Sequence, residues 1–208
     1  MSNITIKFPD GSAKEFPHGT TGMQIAEGIS RGLAKNALSI SVNGEVWDLS
    51  RALATDAEIK INTWNDVEGK STYWHSSAHL MAEAIEAIFP GTKFGIGPSI
   101  ENGFYYDIDM GDHSLTTQDL QSIEDKMNEF TKRDVAFQRS EVSWDYAIDY
   151  FQKKDDPYKL ELLEGLKGEQ VSMYQQGNFM DLCYGPHVPS TGKIKFVKLL
   201  SIAGAYWR

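Results

Sequence analysis

The sequence has little cysteine, since Cys183 is the only one among its 208 residues. A single cysteine cannot form a disulfide within the chain, and this usage is typical of proteins in a reducing cytoplasm. The chain also lacks any apolar run of about 18 residues, which excludes a transmembrane helix. Its first residues alternate like a strand and contain no apolar stretch of the kind found in signal peptides. We therefore expect a cytoplasmic protein.

Basic residues are outnumbered: 20 Lys and Arg stand against 29 Asp and Glu, a formal net charge of −9. Non-specific binding of nucleic acid depends on Lys and Arg at phosphates, so this charge disfavours it. The excess lies after Asn62, where 14 basic residues face 22 acidic ones. A site that holds only the end of an RNA strand stays compatible with the charge, but this part alone should bind RNA weakly.

The first 62 residues combine short alternating runs with turn signals. Pro9-Asp10-Gly11-Ser12 and Asn43-Gly44 each predict the turn of a hairpin. Thr21 is placed to cap a helix that we expect to end near Gly32. Strands are predicted at 4–8, 13–16, 39–42, 45–49 and 59–63. The resulting order, β-β-α-β-β-β, predicts a small sheet crossed by one helix, of β-grasp (ubiquitin-like) type.

The remaining residues mix helical and extended patterns. Residues 64–70 are polar and are interpreted as a boundary, and a helix is predicted from about Ser71 to Phe89. A hairpin that turns at Glu101-Asn102-Gly103 follows. Further helices are predicted after Thr116 or Thr117, after Ser143, and from Pro157 to near Gly165, and strands at 171–174, 179–183 and 193–199. The second part is therefore predicted to be α+β, with an antiparallel sheet and helices packed on it.

Chemically capable side chains concentrate in two motifs, His75-Ser76-Ser77-Ala78-His79 and Asp181-Leu182-Cys183-Tyr184-Gly185-Pro186-His187. On a helix, His79 follows His75 by about 40° around the axis, so both share one face. That face lies away from the main apolar stripe of the predicted helix. The pattern therefore favours a polar pocket over a role as core histidines.

Three kinds of chemistry fit these motifs. The His-x-x-x-His spacing of zinc metalloproteases requires Glu directly after the first histidine, and Ser76 stands there instead, which excludes that class. Together with Cys183 and His187, the pair forms a Cys-His₃ set that zinc accepts in a tetrahedral site. Without metal, imidazoles can orient and deprotonate a water, and a cysteine beside histidine can act as a nucleophile. The residues alone leave metal binding, water activation and nucleophilic attack open.

Further motifs, together with these two, resemble bacterial threonyl-tRNA synthetases. They are Pro9-Asp10-Gly11-Ser12, Phe94-Gly95-Ile96-Gly97-Pro98, Asn102-Gly103-Phe104-Tyr105-Tyr106-Asp107, Tyr158-Lys159 and Gly204-Ala205-Tyr206-Trp207-Arg208. They follow in order along essentially the whole chain, which is similar to the N-terminal half of such an enzyme. The resemblance implies a TGS domain over residues 1–62 and a tRNA editing domain over residues 63–208.

The family's editing domain hydrolyses serine wrongly esterified to threonine tRNA. A pocket built for threonine rejects serine weakly, because one missing methyl changes binding by only about 1–3 kcal/mol. A second site that admits serine and clashes with the extra methyl of threonine completes a double sieve.

The family's editing residues carry over onto matching positions as implied roles. The catalytic set is His75, His79, Lys159, Asp181, Cys183 and His187, and the substrate-binding set is Tyr105, Tyr106 and Tyr184. His75, with His79 or His187, would deprotonate the attacking water. Lys159 would stabilise the oxyanion or the departing ribose hydroxyl, and Asp181 would hold the serine ammonium or hydroxyl. Cys183 is interpreted as a pocket wall rather than a nucleophile, and Tyr106 as a wall or a contact for the terminal adenosine.

The resemblance implies that editing needs no cofactor, with zinc held by His75, His79, Cys183 and His187 as the alternative. ATP and a catalytic zinc belong to the family's aminoacylation core, which is missing here, so the chain should not activate threonine. Expected partners are the acceptor end of threonine tRNA and its seryl-adenosine moiety, and no membrane. The full-length protein is expected to be a homodimer through that core, and this fragment a monomer. The alternatives are a free-standing zinc-dependent aminoacyl-tRNA deacylase and a non-catalytic, TGS-containing RNA-binding module.

Two positions depart from the family pattern. Ser77 replaces a frequent cysteine and lies at about 200° from His75, inside the apolar stripe, which indicates packing. Tyr184 replaces a frequent arginine and could stack on the terminal base. Gly95-Ile96-Gly97-Pro98 lacks the helix and Lys-Ser/Thr of a phosphate-binding loop and is predicted to lie in a hairpin strand. Lys153-Lys154 is predicted to be a solvated helix end.

Overall fold

The computed structural model describes residues 3–204 and residue 207. By packing, the chain divides into two compact units. One extends through Tyr73 and includes Gly185–Pro189, and the other comprises Trp74–Tyr184 and the residues from Ser190 onward. The predicted α+β class is confirmed, while the domain limits of 1–62 and 63–208 stay a prediction. Of the motif at 204–208, Ala205, Tyr206 and Arg208 lie outside the described residues.

The first unit is built on a five-stranded sheet. Its elements are β1 (Asn3–Lys7), β2 (Ala13–Pro17), α1 (Gly22–Ile29), α2 (Arg31–Asn36), β3 (Ser39–Val42), β4 (Glu45–Trp47) and β5 (Ala57–Asn62). The strand order is β2-β1-β5-β3-β4, and β1 pairs parallel with β5 while the other neighbours are antiparallel. Ile6, Ile40 and Ile59 point from the sheet into a core that α1 closes with Ile25 and Ala26. This is the predicted β-grasp arrangement.

Local sequence signals account for the turns and caps of this unit. Thr21 forms a full capping box with Gln24 at the start of α1. Asn43 and Gly44 adopt φ of 50° and 89°, the left-handed pair that a tight hairpin turn requires. The predicted end of the helix near Gly32 is wrong. The helix ends at Ile29, and the Ser30 hydroxyl accepts from the Leu33 N–H to begin a second short helix, α2.

Helix α3 (Val67–Ile88) begins earlier than the predicted Ser71. The polar stretch interpreted as a boundary supplies its first turn, because Asp66 accepts from the Thr63 N–H and Lys60. Gly69 is needed there, since a Cβ at that position would lie 2.0 Å from the Thr63 carbonyl oxygen. The glycine therefore permits close packing of the helix start and does not mark a linker.

The second unit contains the part of α3 from Trp74 onward, two short hairpin ladders, three helices and a three-stranded sheet. The elements are β6 (Lys93–Phe94), β7 (Ser99–Ile100), β8 (Gly103–Phe104), β9 (Ile108–Asp109), α4 (Thr117–Arg133), β10 (Gln138–Ser143), α5 (Trp144–Lys153), α6 (Pro157–Glu164), β11 (Gln170–Gln176) and β12 (Phe179–Leu182). The order β10-β11-β12 is antiparallel throughout. The helices predicted after Thr116, after Ser143 and from Pro157 all form, and their N-caps are Thr116, Ser143 and Asp156.

Three predictions for this unit need correction. The hairpin around Glu101–Gly103 forms, but its arms pair only in two short ladders, β6–β9 and β7–β8. Strand β10 was not predicted, because its polar sequence becomes extended only by pairing with β11. The strand predicted at 193–199 is absent: Thr191–Lys193 is a 3₁₀ turn, and no strand is found at 194–199. No helix in the described part of the chain is long and apolar enough to cross a membrane.

Candidate active site

Helix α3 carries His75 and His79 on one face, with ring centroids 5.1 Å apart and an interplanar angle of 85°. His75 is half-buried, but His79 is only 2% exposed and lies near the rings of Tyr106 and Phe179. His79 faces away from the main apolar stripe of α3 and is still buried, because other elements of the unit cover that side of the helix. Ser77 is fully buried, in agreement with its predicted packing role.

Strand β12 and the residue after it carry Asp181 and Cys183. Asp181 pairs with Tyr174 across the β11–β12 ladder. Beyond the ladder, the Cys183 N–H donates to the Ser172 carbonyl at 3.1 Å, and the Ser172 hydroxyl donates to the Cys183 carbonyl at 2.5 Å. These bonds extend the pairing past the strand, so Cys183 has a defined backbone position.

The tip of this hairpin is tied to α3 by groups that sequence reasoning did not identify. Gln176 Nε2 donates to the His79 carbonyl at 3.0 Å, and both residues are buried. Gly177 adopts φ of 52°, and a Cβ there would lie 2.2 Å from Glu83 Oε1. The glycine at the turn was the only available signal, since strand polar residues such as Gln176 show no pattern that distinguishes them.

Asp181 is the centre of a buried polar network. Its Oδ1 lies 2.7 Å from Lys159 Nζ and accepts from the Leu182 N–H at 2.9 Å. Its Oδ2 accepts a hydrogen bond from the Tyr106 hydroxyl. Lys159 Nζ also approaches the Tyr106 hydroxyl oxygen at 3.5 Å. A buried charge needs a partner and further hydrogen bonds, and this carboxylate has both.

The network sets the protonation of its members. Burial alone would raise the pKa of Asp181, but the Lys159 ammonium and the hydrogen bonds lower it below its usual value. Burial and the Asp181 charge raise the pKa of Tyr106 well above its usual value, so the phenol stays protonated and donates. At neutral pH Asp181 is therefore a carboxylate and Tyr106 a neutral phenol.

His79 is neutral at physiological pH. Burial lowers its pKa to about 3, the neighbouring His75 and Lys159 act in the same direction, and Asp181 opposes them. Its Nε2 lies 3.9 Å from Asp181 Oδ2, which is too long for a hydrogen bond, and a neutral ring makes no ion pair. His79 is thus a poor proton acceptor at neutral pH.

Cys183 and the two histidines form a compact donor set. Cys183 Sγ lies 3.3 Å from His75 Nε2, and one donor atom from each of the three residues lies within 4.8 Å of the others. Imidazole nitrogen and thiolate sulfur are the ligands that zinc prefers, and a histidine ligand must be neutral, as His79 is. The chemistry of this donor set fits a zinc ion.

The remaining predicted residues lie in several environments. His187 is buried in the Gly185–Pro189 segment of the first unit, where its backbone N–H donates to Asp48 Oδ1 at 2.8 Å. Tyr105 and Tyr184 are 47% and 79% exposed and so are available to a ligand.

Gly97 lies against the buried Tyr106 ring, and a Cβ there would come within 2.4 Å of it. The Gly-x-Gly motif therefore makes room for a side chain of the site and binds no phosphate through a P-loop.

Lys154, predicted to be a solvated helix end together with Lys153, is instead half-buried. Its Nζ lies 2.7 Å from Glu86 Oε1, while Lys153 pairs on the surface with Asp149. Desolvation opposes the charged form of Lys154, but the hydrogen bond and charge of Glu86 outweigh it and raise the lysine pKa.

Comparison with known proteins finds a match to a known domain near each end of the chain. Residues 4–63 match the TGS domain, and residues 171–205 match the threonyl and alanyl tRNA synthetase second additional domain. The chain is 58% identical over 205 residues to a threonine–tRNA ligase of Cytophaga hutchinsonii, covering 99% of the chain and 32% of that protein. Similar matches are found in Parabacteroides distasonis, at 51% identity over 205 residues, and Desulforamulus reducens, at 49% over 209 residues.

The match runs along the whole chain but spans about a third of the length of these relatives, 32% in each case. The two domain matches occur in one chain and agree with the β-grasp sheet of the first unit and the α+β second unit. The chain thus matches a TGS domain and the threonyl and alanyl tRNA synthetase second additional domain, and along its whole length it is similar to a part of several threonine–tRNA ligases.

Proposed function

We propose that this chain hydrolyses the ester bond of serine mischarged onto threonine tRNA. The observation that carries the proposal is the buried Lys159–Asp181–Tyr106 network beside the His75–Cys183 pair. Fixed donors around a charge are what an ester hydrolase needs where an oxyanion develops. The family relationship supplies the substrate class, and a cytoplasmic location and binding of the tRNA acceptor end belong to the same proposal.

In the proposed reaction His75 takes the proton from the attacking water. Its half-buried ring lies at the edge of the site, whereas the low pKa of His79 makes that ring a hydrogen-bond partner for the water rather than a base. His187, four residues beyond Cys183 in the chain, is a further candidate for orienting this water.

Lys159, Asp181 and Tyr106 fix the polar end of the pocket. Lys159 stabilises the developing oxyanion or the departing ribose hydroxyl, and Asp181 holds it in place while offering the carboxylate to the serine ammonium. Cys183 forms a wall of the pocket beside His75. Tyr105 and Tyr184, both exposed, offer aromatic faces to the terminal adenosine.

The closing test of this function uses three substrates. The chain is incubated with Ser-tRNA(Thr), Thr-tRNA(Thr) and Ser-tRNA(Ala), and release of the amino acid is measured. Hydrolysis of Ser-tRNA(Thr) alone supports the proposal. Preference for Ser-tRNA(Ala) would favour a free-standing deacylase, and no hydrolysis of any substrate would favour a non-catalytic RNA-binding module.

Variants test the assigned roles in the same assay. His75→Ala should lower the rate at least a hundredfold, because general base catalysis contributes about 10²–10⁴. His18→Ala, at an exposed histidine of the first unit, is the matched control and should leave the rate unchanged. Cys183→Ser should keep most of the activity. A trapped acyl-cysteine would contradict the role of Cys183 as a wall.

A zinc-dependent reaction is the second candidate, favoured by the donor set of His75, His79 and Cys183. His187 would be the fourth ligand, and the ion would polarise a bound water. We propose that zinc is not obligatory for editing. Metal analysis of protein purified without added zinc decides the matter: a stoichiometric ion whose removal abolishes hydrolysis would establish the zinc-dependent reaction instead.

A further inference from the structure

The indole of Trp207 packs directly against Gly95 of the second unit, which leaves no room for a side chain at that position. A Cβ at Gly95 would lie 2.5 Å from Cζ3 and 3.2 Å from Cε3 of the indole, so the backbone of Gly95 forms the surface on which the ring lies. Trp207 Nε1 donates to Glu161 Oε2 at 2.7 Å. The indole also meets the Tyr158 ring at a centroid distance of 4.7 Å and an angle of 61°.

These contacts join α6 to the hairpin of β6 and β9. Tyr158 and Glu161 stand three residues apart on α6 and share a face. Gly95 belongs to the hairpin, since its N–H donates to the Asp107 carbonyl at 2.8 Å and the Asp107 N–H donates to the Ile96 carbonyl at 3.0 Å. The Tyr158 hydroxyl adds a bond to Asp109 Oδ2 at 2.6 Å. Trp207 thus closes the outer side of a junction between two elements.

The same two elements deliver the partners of Asp181. Lys159 follows Tyr158 on α6, and Tyr106 precedes Asp107 on the hairpin. On the inner side of the junction, Asp156 caps α6 through the Lys159 N–H and accepts the Phe94 N–H at 3.3 Å. A shift of α6 against the hairpin would therefore separate Lys159 Nζ from the Tyr106 hydroxyl and from the carboxylate that both contact.

We propose that Trp207 is a positioning residue for the candidate active site: by holding α6 against the Gly95–Asp107 hairpin, it keeps Lys159 and Tyr106 on Asp181. It touches none of the proposed reacting atoms and acts through Tyr158 and Gly95. The inference rests on the proposed hydrolysis for its kinetic consequence, while its structural part stands independently of any activity.

The kinetic test compares Trp207→Leu and Trp207→Phe with a matched tryptophan. Trp47 also donates its Nε1 to a glutamate, Glu45 at 3.2 Å, but it lies in the first unit. For hydrolysis of Ser-tRNA(Thr), Trp207→Leu should lower kcat about tenfold with KM within twofold, because small misplacements of catalytic groups cost rate. Trp207→Phe should recover part of the loss by keeping the ring contact with Tyr158. Equal kcat for Trp207→Leu and Trp47→Leu would overturn the proposal.

A measurement without substrate separates this inference from the proposed function. Hydrogen–deuterium exchange of the 208-residue chain is followed at α6 and at the β6–β9 hairpin. Trp207→Leu should speed exchange there at least fivefold relative to Trp47→Leu. Gly95→Ala, which displaces the indole, should give the same pattern, and the double variant should add nothing further. Unchanged exchange in Trp207→Leu overturns the inference even if the wild type hydrolyses Ser-tRNA(Thr). If exchange is faster in Trp207→Leu but the wild type does not hydrolyse Ser-tRNA(Thr), only the proposed function is wrong.

Discussion

At the scale of single residues, Asp181 shows how burial changes the contribution of one charge to the stability of the fold. Its side chain is 3% exposed, as is that of Lys159, and the two are 2.7 Å apart. The pair Lys153–Asp149 has similar chemistry, but its side chains are 75% and 61% exposed. Water screens the second pair and not the first, so loss of one partner should have very different consequences in the two places.

Asp181→Asn should therefore destabilise the chain strongly. It leaves the Lys159 ammonium buried without a counter-charge, and breaking a buried pair in this way costs about 3–5 kcal/mol. Asp149→Asn, the control, should change the free energy of unfolding by less than about 0.5 kcal/mol. Urea denaturation at pH 7 measures both. Equal losses of unfolding free energy in Asp181→Asn and Asp149→Asn would show that water screens the Lys159–Asp181 pair as well.

Glu83 should make stability depend on pH. Burial raises its pKa from 4.5 to about 7, Glu86 acts in the same direction, and Arg133 and the Asn178 N–H oppose the rise. A raised pKa means that the folded state holds the proton more tightly. Its contribution to stability is therefore complete below about pH 4.5 and is lost as the pH rises through 7.

Glu83→Gln mimics the protonated side chain and removes this dependence. Relative to the variant, the wild type should lose about 1–3 kcal/mol of unfolding free energy between pH 5 and pH 8. Urea denaturation at the two pH values measures the difference. Glu101→Gln, at an exposed turn residue, should follow the wild type at both. A wild type and Glu83→Gln that respond identically to pH would contradict the prediction.

At the scale of elements, the paired glycines of the β6–β9 hairpin region have separate tasks. Gly97 lies under the Tyr106 ring and Gly95 under Trp207, so each makes room for an aromatic side chain that arrives from elsewhere in the chain. The repeated glycine was visible in the sequence. The role of each glycine was not visible in the sequence, because only the tertiary structure shows which aromatic ring packs against it.

Gly97→Ala should displace Tyr106 and weaken its bond to Asp181. The added Cβ would meet two ring atoms at 2.4 Å, and forced overpacking of this kind costs about 1–3 kcal/mol. Gly103→Ala is the matched control in the same hairpin, since nothing lies within 4 Å of its added Cβ. Thermal unfolding measures both variants, and a Gly97→Ala protein as stable as Gly103→Ala would contradict the expectation.

Two other elements show where local sequence was sufficient and where it was not. Helix α4 begins where Thr116 predicted it, because the hydroxyl and the Asp119 carboxylate satisfy the first N–H groups locally. Residues 193–199 alternate like a strand, but they find no strand to pair with among the described residues. Instead the Leu199 N–H and the Lys198 ammonium bind Glu124 on α4. Alternation predicts a strand only where a neighbouring strand supplies the hydrogen bonds.

At the scale of the whole molecule, the net charge of −9 bears on the proposed binding of the tRNA acceptor end. A net negative charge disfavours binding along the phosphate backbone, so we expect the proposed recognition to concentrate on the acceptor end. The rate constant kcat/KM for a seryl minihelix should therefore lie within about threefold of that for full-length Ser-tRNA(Thr).

Salt dependence checks the same point. Proteins that make 6–10 phosphate contacts lose about 10³–10⁵ in affinity between 50 and 200 mM salt. For this chain we expect kcat/KM to fall by less than about tenfold over that range. A steeper fall would show that an extended phosphate-binding surface exists despite the acidic composition.

The sequence by itself determined the α+β class, the β-grasp order and the helix caps Thr21, Thr116 and Ser143, because these depend on periodicity and turn chemistry that are local in the chain. The side chains of the candidate site were predicted from motifs and from a family resemblance, and their roles stay a prediction. Only the tertiary structure decided that His79 is buried and neutral, that Lys159 and Tyr106 share Asp181, and that Trp207 lies on Gly95. Those facts join residues between 22 and 112 positions apart. Burial and charge depend on such neighbours, and no local pattern specifies which distant residue will supply them.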